Sequence, residues 1–199
     1  IIPKIRGRFR SVPMQELLNE AKRLASEGVK ELVLVAQETT LYGKDLTGEK
    51  QLPLLLHELC KIEGIEWIRL LYCYPEEITD ELIKVIKTEE KVCNYIDMPI
   101  QHSENRILQR MGRRTSREDL VAVIKKLRKE IPDITIRTTL ITGFPGESQE
   151  DHEGLMNFVE ECQFDRLGVF TYSPEEDTLA ATFEDQIDER SQRKNEEMN

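Results

Sequence analysis

Closely spaced cysteines are missing from this sequence. The four present are Cys60, Cys73, Cys93 and Cys162, and even the nearest pair is far too separated for a C-x-x-C motif. Scattered single cysteines in an acidic, intracellular-type sequence read as small buried hydrophobes, so no metal site is expected from this chain alone. Long apolar runs are missing too. None approaches the ~20 residues a membrane-spanning helix requires, and no membrane association is expected. The first residues, Ile1-Ile-Pro-Lys4, follow no charged leader and do not start with Met. The chain therefore reads as a piece of something longer, without a secretory signal, from a cytoplasmic protein. Positive charge is in the minority, with 28 Lys and Arg against 38 Asp and Glu and a net charge of -10. Such a surface repels nucleic acid at long range and favours basic partners.

What is present is a repeated alternation of strand and helix. Leu17, Leu18, Ala21, Leu24 and Ala25 recur at helical spacing as far as Gly28. A short buried strand over 31–36 follows, then a polar loop from Gln37 to Gly48. The same pattern predicts helices over 52–62 and 79–86 and strands over 67–72 and 95–98. Basic amphipathic helices over 104–113 and 117–130 come next. A strand over 134–141, a helix over 149–162 and a strand over 166–171 close the series. Strand and helix alternating five times predict a parallel α/β sheet. Polar residues gather after each strand: Gln37-Glu38, Tyr72 to Tyr74, Gln101-His102, Gly143 to Glu147, and Tyr172-Ser173. Barrel folds carry chemistry at that end. Five strands cannot close an eight-stranded barrel, so an open, partial TIM-like parallel barrel is expected.

The stretch from Ile134 to His152 is the most informative. A β-branched and apolar strand stops at Gly143-Phe-Pro-Gly146, and a helix restarts behind it. Glycine permits positive φ and a close approach of ligand to backbone. Ser148 and Asp151 stand at capping-box spacing. In the first ten residues Lys4, Arg6, Arg8 and Arg10 occupy every second position, which in an extended segment puts them on one side. The cations Arg106, Arg110, Arg113, Arg114 and Arg117 invite an RNA reading, but Glu104 and Glu118 flank them and no aromatic residues are interleaved for base stacking.

These segments together resemble the core of the radical S-adenosylmethionine (SAM) methylthiotransferases. The resemblance covers about residues 1 to 185. It rests on Ile2-Pro-Lys-Ile-Arg-Gly-Arg-Phe-Arg-Ser11, Val35-Ala-Gln-Glu-Thr-Thr40, Asp97-Met-Pro-Ile-Gln-His102, Arg106-Ile-Leu-Gln-Arg-Met-Gly-Arg113, Ile141-Thr-Gly-Phe-Pro-Gly-Glu147 and Phe170-Thr-Tyr-Ser-Pro174. One branch of that family modifies a tRNA adenosine. The other modifies an aspartate of a small-subunit ribosomal protein. Gln37-Glu-Thr-Thr-Leu-Tyr-Gly43, Leu71-Tyr-Cys-Tyr-Pro75 and Gln101-His102 are similar to the second. The family's cluster motif, C-x-x-x-C-x-x-C, precedes the Ile-Pro with which this sequence opens. The resemblance therefore implies a core barrel over 1–183, without its first strand and cluster loop. It implies a charged helix or linker over 184–199 that leads toward a C-terminal TRAM domain. An N-terminal cluster domain is implied as well.

The resemblance also implies roles. SAM lies across the strand ends in the family. One SAM supplies a methyl group, and a second is cleaved on a 4Fe-4S cluster to the radical that takes the β-hydrogen of the acceptor. Gln37 would contact the methionyl amino group, unless it is an ordinary loop amide. Gln101 and His102 would lie near the ribose, with capping of the helix near Glu104 as the alternative for His102. Arg137 and Thr139 share a face, and Arg137 would pair with the SAM carboxylate or with a barrel carboxylate such as Asp97. Gly143, Phe144 and Gly146 would form the adenine wall, with Phe170 and Tyr172 closing it or serving as core aromatics. Arg6, Arg10, Glu38, Thr39 and Tyr72 are the candidates for substrate and anion contacts. No catalytic residue and no metal ligand is assigned. A 4Fe-4S cluster is expected only in the full-length parent, and this chain alone is expected to be an inactive part of a sulfur-group transferase. The implied acceptor is a basic ribosomal protein. The alternatives are a tRNA adenosine acceptor and a SAM-binding module without redox chemistry.

Overall fold

The computed structural model describes residues 5–187. Helix α1 (Met14–Ser26) turns its apolar stripe inward, with Ala21 buried, and Gly28 at φ 91° ends it in the left-handed region. Strand β1 (Glu31–Leu34) follows. A four-residue helix α2 (Lys44–Thr47), bracketed by left-handed Gly43 and Gly48, interrupts the stretch expected as plain loop. Then come α3 (Leu52–Cys60), β2 (Trp67–Leu70), α4 (Asp80–Thr88) and β3 (Val92–Asp97). Strand β3 starts three residues earlier than the sequence pattern predicts, because the stretch from Val92 already pairs with β2 at Ile68. The rest are α5 (Asn105–Arg110), α6 (Arg117–Glu130), β4 (Thr135–Thr142), α7 (Gln149–Cys162) and β5 (Arg166–Thr171).

The five strands are all parallel and lie in the order β1-β2-β3-β4-β5. This is the open, sequentially ordered wall of a partial TIM-like barrel. Side chains along β4 alternate strictly. Ile136, Thr138, Leu140 and Thr142 are buried toward the helices, while Thr135, Arg137, Thr139 and Ile141 face the concave side and are partly accessible. The core lies between sheet and helices, where Ile68, Leu70, Ile96, Leu120, Leu140 and Phe158 are fully enclosed. Val33 on the edge strand β1 and Phe170 on β5, the latter 60% exposed, stay open on the two flanks. Helices α6 and α7 both start with complete capping boxes, Ser116 with Asp119 and Ser148 with Asp151. The four cysteines are free thiols, Cys73 and Cys162 buried and Cys60 and Cys93 partly so.

The tail expected from residue 184 onward is not helical over its first four residues, 184–187. They pack back on the domain: the Asp185 carbonyl accepts from Gly146 N at 2.9 Å and the Asp185 carboxylate pairs with Arg110 at 2.6 Å. Residues 188–199 of that tail, and Lys4 of the basic run, lie outside the described residues. The run itself is not extended, because residues 5 and 6 are helical and Gly7 turns at φ 82°. Arg6, Arg8 and Arg10 therefore do not share one strand face, although all three are exposed.

Candidate functional site

The C-terminal ends of the strands gather most of the polar residues singled out in the sequence. Two of them are held in backbone conformations that side chains other than glycine rarely adopt. Tyr72, beyond β2, has φ 57°, and Gln101, beyond β3, has φ 72°. Left-handed backbone at a residue with a Cβ costs about 1–3 kcal/mol and persists only where its surroundings fix it. Here they do. Gln101 is stitched to β4 on both sides, donating from N to Thr139 O at 2.9 Å and accepting from Ile141 N at 2.7 Å. Tyr72 donates from N to Asp97 Oδ2 at 3.0 Å, and its carbonyl accepts from Thr39 N at 3.0 Å.

Glu38 and Thr39, two of the substrate-contact candidates, brace this turn. Thr39 Oγ1 donates to Leu71 O at 2.6 Å. Glu38 Oε1 accepts from Thr40 N at 2.8 Å, from the Thr40 hydroxyl, and from Tyr74 N at 3.4 Å. Glu38 Oε2 is buried without a partner among the described residues. Burial pushes its carboxyl above the ordinary glutamate range, against the pull of these hydrogen bonds. Gln37 and Tyr72 stay accessible and line a cavity of about 690 Å³ with Arg6 and Arg10, so four candidates do share one space.

Asp97, at the end of β3, is wholly buried and spends both oxygens. Oδ2 takes the Tyr72 amide, and Oδ1 takes Arg137 Nη1 at 2.8 Å. The Asp97 alternative considered for Arg137 is therefore the one the structure contains. The pairing is incomplete on the arginine side, where the side chain remains 41% exposed on the concave face beside Tyr95.

The Gly143–Gly146 turn is built as its sequence suggests, with φ of 70° and 83° at the two glycines. Its organising residue is one that sequence reasoning left without a role. Glu147 Oε2 accepts from Gly143 N at 2.5 Å and from Phe144 N at 3.1 Å. Glu147 Oε1 meets His152 Nδ1 at 3.2 Å. His102 is fully buried, and its Nδ1 accepts from Glu104 N at 3.0 Å at the head of α5, which is the capping arrangement considered for it. Its Nε2 points to Glu147 Oε1 at 3.8 Å. Phe144 is nearly buried, edge-on to Tyr172 at 5.3 Å and to Phe183 at 6.3 Å. Tyr172 thus packs behind the turn. Phe170 is open, on the concave side next to Ile141.

A cavity of about 580 Å³ at the ends of β3 and β4 joins Gln101, Ile141 and Phe144 to Tyr74, Arg113 and Leu179. Sequence reading placed Arg113 in a basic stripe and in one of the resembling segments without a role; its guanidinium rests on the Tyr74 ring at 5.0 Å. Three others of that stripe are paired internally: Arg106 with Asp151, Arg110 with Asp185, and Arg117 with Glu104 at 2.5 Å. Those three offer little free charge to a phosphate backbone.

Among the described residues, no group of three or more His, Cys, Asp or Glu is placed to hold a metal ion. Burial pushes the thiols of Cys60 and Cys162 up to about 11 and raises those of Cys73 and Cys93 as well. None is prepared as a thiolate ligand, so an iron–sulfur cluster does not fit this chain's own cysteines. In the cavity beside the glycine turn, a nucleoside-type ligand would meet Gln101, Ile141 and Phe144. Among the described residues no helix is long and apolar enough to cross a membrane.

Comparison with known proteins agrees with this geometry. The family model of the radical SAM superfamily matches residues 1–159. A ribosomal protein uS12 methylthiotransferase RimO of Lachnoclostridium phytofermentans is 67% identical over 187 residues, covering 94% of this chain and 42% of that protein. The protein of the same name from Clostridium perfringens is 59% identical over 197 residues, covering 99% and 44%. The chain thus spans less than half the length of the curated relatives it matches. Among solved structures, the Escherichia coli coproporphyrinogen III oxidase HemN, a radical SAM enzyme, superposes with a TM-score of 0.71 at 18% identity, over 93% of this chain and 44% of its own. The radical SAM methyltransferase TsrM of Kitasatospora setae gives 0.66 at 16% identity, over 83% and 32%. Likeness at that level of identity speaks for the fold.

Proposed function

The chain belongs to the radical SAM superfamily, and on that premise we propose that it is the core of a methylthiotransferase that modifies an aspartate of the small-subunit ribosomal protein uS12, where the ribosome is made and used, in the cytoplasm. The observation that carries this reading is the 67% identity to a RimO protein across 94% of the chain. The inward-facing residues fit it.

S-adenosylmethionine would supply the methyl group and the hydrogen-abstracting radical, with the 4Fe-4S cluster held by residues outside this chain. For the chain's own part, Gln37 offers an amide to the methionyl end from the Tyr72 cavity. Gln101 and Thr139 stand at the ribose level of β3 and β4. The Gly143–Gly146 turn brings backbone within reach of a base edge, with Ile141 and Phe170 flanking it. Phe144 and Tyr172 back the turn. An acidic chain suits a basic ribosomal protein as partner, because the field of the domain draws it in. A tRNA acceptor is less favoured, since three of the five arginines of the basic stripe are paired within the chain.

The test uses the full-length protein, reconstituted without oxygen and given uS12 or tRNA in turn. Modification is read as the mass increase of one methylthio group. The proposal expects it on an aspartate of uS12, with association slowed by salt. A shift confined to tRNA would assign the protein to the sister reaction. Cofactor cleavage with transfer to neither acceptor would reduce the reading to a SAM-binding core.

A further inference from the structure

Asp97 is a fully buried carboxylate with exactly two tasks on two oxygens, and both end at the mouth of the barrel. Oδ2 fixes the strained backbone of Tyr72, and Oδ1 fixes one nitrogen of Arg137. A guanidinium has five donors in a planar fork. Asp97 takes Nη1, and the Tyr95 phenol shares a further hydrogen bond with the guanidinium, while the side chain keeps 41% of its surface open on the concave face. Two protein partners leave part of the five-donor fork free, and the opening exposes it. Arg137 is level with Asp97 across β3 and β4, where β3 ends. A planar donor edge, pre-set by a buried acid and braced by the Tyr95 phenol, matches a carboxylate.

We propose that Arg137, oriented by Asp97 and Tyr95, is the residue that recognises the side-chain carboxylate of the acceptor aspartate. The inference rests on the reading given under Proposed function and deepens it. Two carboxylates could meet this edge, that of the methionyl group of SAM and that of the acceptor. The acceptor is favoured by chemistry and by place. Its reacting β-carbon is bonded directly to the carboxyl carbon, so a bidentate grip on the carboxylate also aims the β C–H bond. Arg137 lies six residues before Gly143 on the same strand, about 20 Å at the rise of a strand, so it is remote from the turn assigned to the base. Asp97 is then a positioning residue, which touches neither reactant.

The experiment uses the full-length protein and peptides that carry the acceptor loop with Asp or with Asn at the modified position. Arg137→Lys keeps a cation for Asp97 but loses the second donor of the fork. It should fold with an unchanged melting temperature and bind SAM within about twofold of the parent. Its affinity for the Asp peptide should fall roughly ten- to a hundredfold, the range of one charge-assisted hydrogen bond, and its preference for Asp over Asn should vanish. The paired variant Arg137→Gln with Asp97→Asn removes the buried charge together with its partner and should behave in the same way. Tyr95→Phe serves as an internal comparison, with a smaller loss for Asp and none for Asn. Asp97→Asn alone should raise the KM for the Asp peptide without changing kcat, which a merely structural role would not produce. Loss of SAM affinity in Arg137→Lys, with peptide discrimination intact, assigns the edge to the cofactor and overturns the proposal. Equal loss for Asp and Asn peptides overturns it as well. If the parent modifies tRNA instead of uS12, the functional reading fails and this inference fails with it. If the parent modifies uS12 and Arg137→Lys still discriminates, only this inference falls.

Discussion

Glu147 and Gly143 are joined by a 2.5 Å hydrogen bond from the glycine amide to the glutamate carboxylate, four residues further along the chain. The same oxygen holds Phe144 N, so one buried side chain shapes the turn that the site is built around. Glu147→Ala leaves two buried amides without their acceptor. The loss should be about 1–3 kcal/mol of stability per unsatisfied group, seen as a lower thermal midpoint, together with weaker SAM binding by the full-length protein. Glu147→Gln, which still offers one carbonyl oxygen, should lie between the two. An unchanged midpoint in the alanine variant would mean that the turn holds itself.

Gly146 is needed for room as well as for its φ of 83°. A Cβ there would stand 2.4 Å from Asp185 Oδ2 and 3.1 Å from the Arg110 guanidinium. Gly146→Ala should therefore cost about 1–3 kcal/mol from backbone strain and push Asp185 away as well. Adding Asp185→Ala should return only the part due to the clash. Full recovery in the double variant would show that the backbone tolerates alanine.

Glu38 should make stability depend on pH in a definite direction. Burial raises its folded-state value above the unfolded one. Its favourable contribution is then complete below the ordinary glutamate range and is lost as pH rises through the folded value. Glu38→Gln removes that titration. The difference in thermal midpoint, variant minus parent, should grow in the variant's favour across the window that starts at the ordinary glutamate value and ends at the raised one. It should be flat above that window. A difference that shrinks over the window would contradict a raised value.

The cysteines should be poor nucleophiles. With thiols pushed up to about 11, Cys60 and Cys162 are almost wholly protonated at pH 8. Alkylation by iodoacetamide in the native state should be roughly two orders of magnitude slower than for an unperturbed thiol. The same chemistry predicts that the isolated chain takes up no stoichiometric iron on anaerobic reconstitution. Four irons per chain would refute it.

The sequence reading and the structure agree where contacts are local. Helical spacing in α1, β-branched alternation in β4, and the Ser148–Asp151 capping box all depend on residues within a turn or two. The strand order followed from the alternation, since parallel neighbours need a crossover and the helices supply it. Helix α2 escaped because four residues between two glycines carry no period. What the sequence could not reveal is held by long reach. Asp97 and Arg137 are forty residues apart in sequence, and although Asp97 was one of two partners considered for Arg137, the choice between them needed the fold. Arg110 and Asp185 are 75 apart. His102 was visible as a polar residue at a strand end and as a cap for the helix near Glu104, but the approach of Glu147 to its other nitrogen comes from a distant element.

One flank of the sheet carries an obligation of its own. Among the described residues β1 has a strand neighbour only on the side of β2, so the amides and carbonyls of its other side are unshared, and Val33 stands exposed among them. A bare ribbon of that kind accepts whichever strand arrives first. The solubility of the isolated chain is therefore a race between its proper neighbour and a stranger, and dilution, charge on the Arg6–Arg10 segment and low temperature during expression all bear on who wins.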